Sequence, residues 1–354
     1  MQAFDKTDKY SNNNGLNSAN QFSVAPMLDW TNRHCRYFHR QLSQNAWLYS
    51  EMVTTGAIIY GDNLERFLGH NESEMPVVLQ LGGSGSKDLA TCAELGEEWG
   101  YSEINLNVGC PSDRVQNNMI GACLMAHPEL VAENVRAMKS VVDIPVTVKT
   151  RIGIDEQEDF SILRDFVGGL ADAGVDGMII HARKAWLEGL SPKENRDIPP
   201  LKYDWVHRIK AEFPDLSIAI NGGLKTIEQS QVHLTSYEEL PAVDGVMLGR
   251  TAYEQPFLLS EVDHHFYGEE VNQTLTRVSV LETMYPYIEN HIANGGKLNQ
   301  VTRHMLGLFY SLPGGRIWRR YLSENAHKPG AGVEVVQQAY QLVSDEMLRM
   351  EDQA

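Results

Sequence analysis

Eight short apolar stretches recur along the chain, with helix-patterned segments between them. They are Phe22–Leu28, Ala46–Val53, Pro76–Gly82, Glu103–Gly109, Pro145–Ile152, Gly177–Ala182, Ser217–Gly222 and Asp244–Gly249. The intervening segments carry helical spacing, as in Leu130–Met138 and Ile162–Ala173. Strand–helix alternation eight times over about 230 residues predicts an α/β fold, the parallel (β/α)8 TIM barrel, which typically takes about 250 residues. A doubly wound sheet is the other reading. It would open on a glycine-rich first turn, but the first strand here runs Ala25-Pro26-Met27-Leu28-Asp29 with no GxGxxG after it.

From about Val271 the strand signals stop. Leu275–Ile292, Val301–Tyr310, Gly315–Ser323 and Val333–Met350 read as helices, with turns at Gly295-Gly296 and Pro313-Gly314-Gly315. The expected organisation is a disordered polar tail at 1–20, a barrel at 21–265 and a smaller helical domain at 270–354. The Asn-rich tail lacks the apolar core of a secretion signal, and no run of 18 apolar residues suggests a membrane span. Cys35, Cys92, Cys110 and Cys123 form no CxxC pair, which speaks against a zinc site or disulfide framework. No metal, no membrane, a cytoplasmic location and a monomer are therefore expected.

The net charge of −17 alone speaks against a nucleic-acid partner. Its distribution qualifies that. Residues 301–354 are balanced, while 183–210 carry Arg183, Lys184, Lys193, Arg196, Lys202, Arg208 and Lys210 against four acidic groups. A basic surface on an acidic protein is thus open.

The chemistry of such a barrel sits at the carboxyl ends of its strands. In Glu103–Val108, Ile104, Leu106 and Val108 alternate with Glu103, Asn105 and Asn107, and the loop Gly109-Cys110-Pro111-Ser112 follows. A buried structural cysteine is the ordinary reading of a lone thiol, but Asn105, Asn107, Ser112, Asp113 and Arg114 make this no apolar pocket. The other ends offer Pro26 and Met27, Glu51, Gln80, Lys149 and Arg151, His181 and Arg183, Asn221-Gly222-Gly223 and Gly249-Arg250. The two glycine motifs, on the last two strands, suit a phosphate held by backbone N–H groups. Lys149, after Val146-Thr147-Val148, should be buried, so it needs an anionic partner such as Glu51, a depressed pKa or an electron-rich cofactor ring. His181 is either a site residue or a satisfied core histidine.

These motifs together resemble the tRNA-dihydrouridine synthases, in particular the bacterial A-type subfamily. The carriers are Ala25–Trp30, Glu51–Ala57, Gln80–Gly83, Asn105–Ser112, Lys149–Gly153, His181–Lys184, Asn221–Gly223, Gly249-Arg250 and Gly315–Leu322. The resemblance implies reduction of the C5=C6 bond of D-loop uridines in tRNA, with bound FMN and with NADPH as reductant. It implies that Pro26, Met27 and Leu28 lie under the flavin. Gln80, Lys149 and His181 would contact its ring or ribityl chain, and Asn221, Gly222, Gly223, Gly249 and Arg250 its phosphate. Cys110 would be the proton donor. Asn107, Lys193, Arg196, Arg316 and Arg319 would touch tRNA, and uridines 20 and 20a are the implied targets.

The residues fit that chemistry. Hydride delivered to C6 of a uracil leaves a carbanion at C5 that needs an acid, and a thiol is mostly protonated at neutral pH. Arg316 and Arg319, three apart beside Arg320, suit phosphate contacts. A solvated helix face with salt bridges is their plainer reading. Two rivals remain: a flavin-barrel oxidoreductase acting on a small enone or pyrimidine, and a non-catalytic RNA-binding protein. The arginine-bearing helices disfavour the first. The intact Cys110 and phosphate motifs disfavour the second.

Overall fold

The structure is a computed structural model describing residues 21–112 and 119–352. The tail expected at 1–20 lies outside the described residues, as do Asp113 and Arg114. The chain forms two compact units. One runs up to Met27 and from Asn45 to Gly249, and the other takes Leu28–Gln44 and the chain from Arg250 onward.

The first unit is a closed parallel barrel. Its strands are β1 (Phe22–Val24), β2 (Trp47–Tyr49), β4 (Val77–Gly82), β5 (Glu103–Val108), β6 (Val146–Arg151), β7 (Gly177–His181), β8 (Ser217–Asn221) and β9 (Gly245–Leu248). A two-residue β3 (Val53–Thr54) pairs with β4 beyond the end of β2. Neighbours follow chain order, and β1–β9 and β2–β4 pairings complete the ring. The eight expected strands are all present. Helices over Ser86–Glu98, Pro128–Lys139, Phe160–Asp172 and Tyr203–Glu212 return the chain between strands, so strands such as β4, β5 and β7 are buried along their whole length.

Side-by-side residues in a parallel sheet point to the same face, so register sorts the interior into levels. Tyr49, Val78 and Glu103 form one, Gln80, Asn105 and Thr147 the next, then Asn107, Lys149 and Ile179, and finally Arg151, His181 and Asn221. Ala25, Trp47, Tyr49, Val78, Ile179 and Met247 pack as an apolar cluster. The polar groups gather toward the carboxyl ends.

The second unit is helical. Arg277–Ala293 begins at a reciprocal cap, with the Ser279 N–H donating to Thr276 Oγ1 (3.1 Å) and the Thr276 N–H to Ser279 Oγ (2.8 Å). Gly315–Asn325 buries Trp318 and Leu322. The Trp318 indole donates to Met305 O (3.0 Å) and meets Phe309 edge-on at 4.9 Å. The helix expected over Val301–Tyr310 is not formed. A short helix ends at Thr302 and a series of turns follows. Val333–Glu351 closes the described chain. Among the described residues no helix is long and apolar enough to cross a membrane.

Candidate active site

Cys110 sits half-exposed in the loop that leaves β5. Its backbone is held twice: its N–H donates to Asn107 Oδ1 (3.0 Å), and its carbonyl accepts from the Ala122 N–H (2.9 Å). Asn107 also takes the Gly109 N–H (3.1 Å) and donates through Nδ2 to Gln80 Oε1 (2.8 Å). The other cysteines are placed differently. Cys92 is buried, with its thiol pushed up to about 12 by burial and then by Asp88, and Cys123 donates to Ile120 O (3.5 Å).

Lys149, next to Asn107 in register, donates to Asn221 Oδ1 (3.1 Å), and no carboxylate of the described residues ion-pairs with it. Burial lowers its ammonium to about 7, and Arg151 adds to the effect. Asn221 is fixed in turn by its Nδ2 donating to Met247 O (2.7 Å). Burial holds His181 well below the ordinary imidazole range. The cations Arg151, Lys149, Arg183 and Arg196 push the same way, so its ring is neutral. The strand ends thus concentrate positive charge on a protein of net charge −17.

The two glycine motifs differ in their cause. Gly222 and Gly223 have φ of 110° and 75°, and a Cβ on Gly222 would lie 2.4 Å from the His181 ring. The protein itself requires glycine there, with Tyr203 Oη anchoring the turn on Gly222 O (2.7 Å). A Cβ on Gly249 would meet only Ala25 and Met27, at 3.7 and 3.8 Å, ordinary contact distances. No packing excludes a side chain from Gly249, whereas a ligand approaching the backbone would. Gly222→Ala is therefore expected to lower unfolding free energy by roughly 1–3 kcal/mol in a urea titration. Gly249→Ala should be close to neutral in the same titration.

Arg151 organises the rim. Its guanidinium donates to the carbonyls of Gly109 (3.1 Å), Lys184 (3.2 Å) and Asn195 (2.8 Å), tying the Cys110 loop to the segment after β7. Asn195 is buried and clasps that segment, accepting from the Trp186 N–H (2.8 Å) and donating to Trp186 O and Leu190 O. Lys193 and Arg196 flank it, both exposed. Pro26 and Met27 are half-buried after β1.

Leu28 and Arg250 belong to the second unit. Leu28 is 57% exposed and Arg250 opens the short helix Arg250–Glu254. Arg316 and Arg319 are exposed on Gly315–Asn325, the helix that buries Trp318 and Leu322.

Asn105 and Glu103, read from the sequence as the polar face of β5 but given no role, belong to this arrangement, and so do Thr147 and Tyr203, which the sequence reading had not marked. The signal for Thr147 was present as a polar residue at an inward position of β6. Among the described residues no cluster of three or more His, Cys, Asp or Glu could hold a metal.

The family profile described as Dihydrouridine synthase (Dus) matches residues 23–344. The chain is 58% identical to the tRNA-dihydrouridine(20/20a) synthase of Shewanella oneidensis over 336 residues, 95% of this chain and 98% of the relative. It is 54% identical to the same-named protein of Escherichia coli K12 over 346 residues, 98% of each. Among solved structures, the old yellow enzyme homologue of Zymomonas mobilis shares the fold, with a TM-score of 0.51 at 11% identity over 73% of this chain and 91% of that one. With a profile spanning nearly the whole barrel and most of the helical unit, and relatives of this identity along almost their full length, the chain belongs to the dihydrouridine synthase family.

Proposed function

We propose that this protein reduces the C5=C6 bond of D-loop uridines in tRNA, uridines 20 and 20a, with FMN bound at the barrel mouth and NADPH as reductant. The observation that carries the reading is a half-exposed thiol, fixed through its backbone, beside a half-buried lysine that ion-pairs with no carboxylate among the described residues. The residues present fit FMN: Gly249 is left open at its backbone, Asn221 and Lys149 converge, and the surroundings are cationic. When bound, the reduced flavin supplies hydride to C6 of the uracil.

The chain's own groups do the rest. Cys110 Sγ holds the proton that C5 then needs. Lys149 provides a positive charge toward an electron-rich ring, while the neutral His181 and the amide of Gln80 offer uncharged polar contacts. Gly222, Gly223 and Gly249 present backbone N–H groups to the phosphate, with Asn221 and, next in the chain to Gly249, Arg250. Pro26, Met27 and Leu28 give an apolar floor. Lys193, Arg196 and Asn107, and on the helical unit Arg316 and Arg319, meet tRNA, whose target base must leave its stack.

Purified protein, NADPH and unmodified tRNA test this through visible flavin absorption and dihydrouridine mapped along the D-loop. Yellow protein that modifies these uridines supports the reading. Yellow protein that ignores tRNA but reduces a small enone overturns the substrate, and colourless protein overturns the cofactor. Arg316→Ala with Arg319→Ala is expected to weaken tRNA binding similarly for all sequences and to flatten its log–log salt slope by about 1–2, measured by filter binding from low to high salt.

A further inference from the structure

One unbroken chain of side-chain hydrogen bonds crosses the barrel interior from its amino-terminal end to Cys110. Glu103, the first residue of β5, accepts at Oε1 from the Tyr49 hydroxyl (3.1 Å) and from the Thr147 hydroxyl. Thr147 Oγ1 accepts from Asn105 Nδ2 (2.8 Å), and Asn105 Oδ1 accepts from Gln80 Nε2 (2.8 Å). Gln80 Oε1 accepts from Asn107 Nδ2, and Asn107 Oδ1 takes the N–H groups of Gly109 and Cys110. Glu103, Asn105 and Gln80 are at most 1% exposed, and Thr147 is 2% exposed.

The two ends fix the sense of everything between them. The top is two backbone N–H groups, which can only donate, so Asn107 must turn its oxygen to them and its nitrogen to Gln80. At the bottom, Thr147 Oγ1 takes the Asn105 N–H, so its own hydrogen is left for Glu103 Oε1, which also takes the Tyr49 hydroxyl. All three amides are then left with one orientation each. The polarity does not depend on the charge of Glu103. Burial raises its carboxyl to about 7 against the Thr147 and Tyr49 hydrogen bonds, and the proton of the acid form belongs on the otherwise unpartnered Oε2.

We propose that Glu103 and Thr147 are positioning residues of this active site, anchoring through Asn105 the placement of Gln80 and Asn107, and through Asn107 the seat of Cys110. This rests on the function proposed above. An isosteric loss of the Thr147 hydroxyl leaves the buried Asn105 Nδ2 without its acceptor, and the amides above it, still turned the same way by the Gly109 and Cys110 N–H groups, lose the lower anchor that sets their position. A threonine needed only for packing would transmit nothing.

The test compares holoenzyme carrying Thr147→Val or Thr147→Ser with the unaltered protein, each well below its melting temperature. Three quantities are read: the visible spectrum of bound flavin, kcat and KM for tRNA, and the rate at which iodoacetamide labels the Cys110 peptide by mass spectrometry. Thr147→Val is expected to shift the flavin bands, to lower kcat roughly tenfold or more with little change in KM, and to speed labelling of Cys110. Thr147→Ser restores all three.

A folded Thr147→Val protein that matches the unaltered one, or a Thr147→Ser protein as impaired as Thr147→Val, overturns the proposal. Should Thr147→Val not accumulate folded, Thr147→Ala carries the same comparison. If the unaltered protein forms no dihydrouridine, the proposed function fails by itself, and the labelling rates still decide whether Thr147 positions Cys110.

Discussion

A Cys110→Ala protein is expected to bind flavin normally and to form dihydrouridine about 10²–10⁴ times more slowly. The separation of the two effects follows from how the loop is held. Both anchors of Cys110 are backbone groups, its N–H on Asn107 Oδ1 and its carbonyl under the Ala122 N–H. Alanine keeps each of them and removes only Sγ. The nearby Cys123 cannot readily substitute, because its thiol is engaged with Ile120 O and burial raises its pKa. The measurement is single-turnover reduction of tRNA by pre-reduced enzyme. A variant that loses flavin along with activity would mean that Cys110 is structural, and a variant with near-normal turnover would place the acid elsewhere.

Lys149→Met should pull stability and function in opposite directions. The ammonium is lowered from 10.5 to about 7 by burial, then by Arg151. Between about pH 10.5 and 7 the unfolded chain takes up a proton that the folded chain declines, so folding stability drops as pH falls through that window and stays low beneath it. Methionine removes that cost. The apoprotein is expected to gain roughly 1–3 kcal/mol at pH 7, well short of the full value of the shift because the side chain keeps some solvent and Asn221 Oδ1 loses its donor.

The gain over the unaltered protein should shrink as pH rises toward and past 10.5, above which lysine loses its charge in the unfolded state as well. Flavin affinity should fall tenfold or more, about 1.4 kcal/mol. Thermal melting of the apoprotein against pH and flavin titration check the two halves. A variant less stable at pH 7 that binds flavin as well as before would show that Lys149 has a partner in the fold.

Much of this was legible because a barrel strand announces itself twice, by apolar content and by the polar residue at its end. Lys149, His181 and Asn221 were placed by that rule; register then sets His181 beside Asn221, and Lys149, one level along the strands, reaches Asn221 by a hydrogen bond. Thr147 escaped it. In Val146-Thr147-Val148-Lys149 a β-branched hydroxyl residue reads as strand propensity, and only the carboxylate of Glu103 and the amide of Asn105 give that hydroxyl a direction. The helix expected at Val301–Tyr310 failed for a tertiary reason. A Cβ on Gly307 would lie 2.3 Å from Glu254 O, so the backbone comes closer there than a continued helix with side chains would allow. Nor does spacing reveal that Leu28–Gln44 keeps company with the chain beyond Gly249. Its Tyr37 stacks on Tyr287 at 3.8 Å, and Ser43 donates to Asp263 (2.5 Å).

That last arrangement sets a timetable for synthesis. The ribosome releases Leu28–Gln44 about two hundred residues before the stretch from Arg250 that completes its unit. Phe38 and Leu42, fully buried in the finished protein, must wait through the making of most of the barrel. β1 waits as long for β9, the strand that closes the ring. A nascent chain of this kind leaves Cys35, Phe38 and Leu42 uncovered and a strand edge unpaired until its last third has emerged, which is the interval in which chaperones would guard it. A transcript broken near codon 250 would yield a product whose earliest segment never finds its partners, and quality control would recognise it at that end.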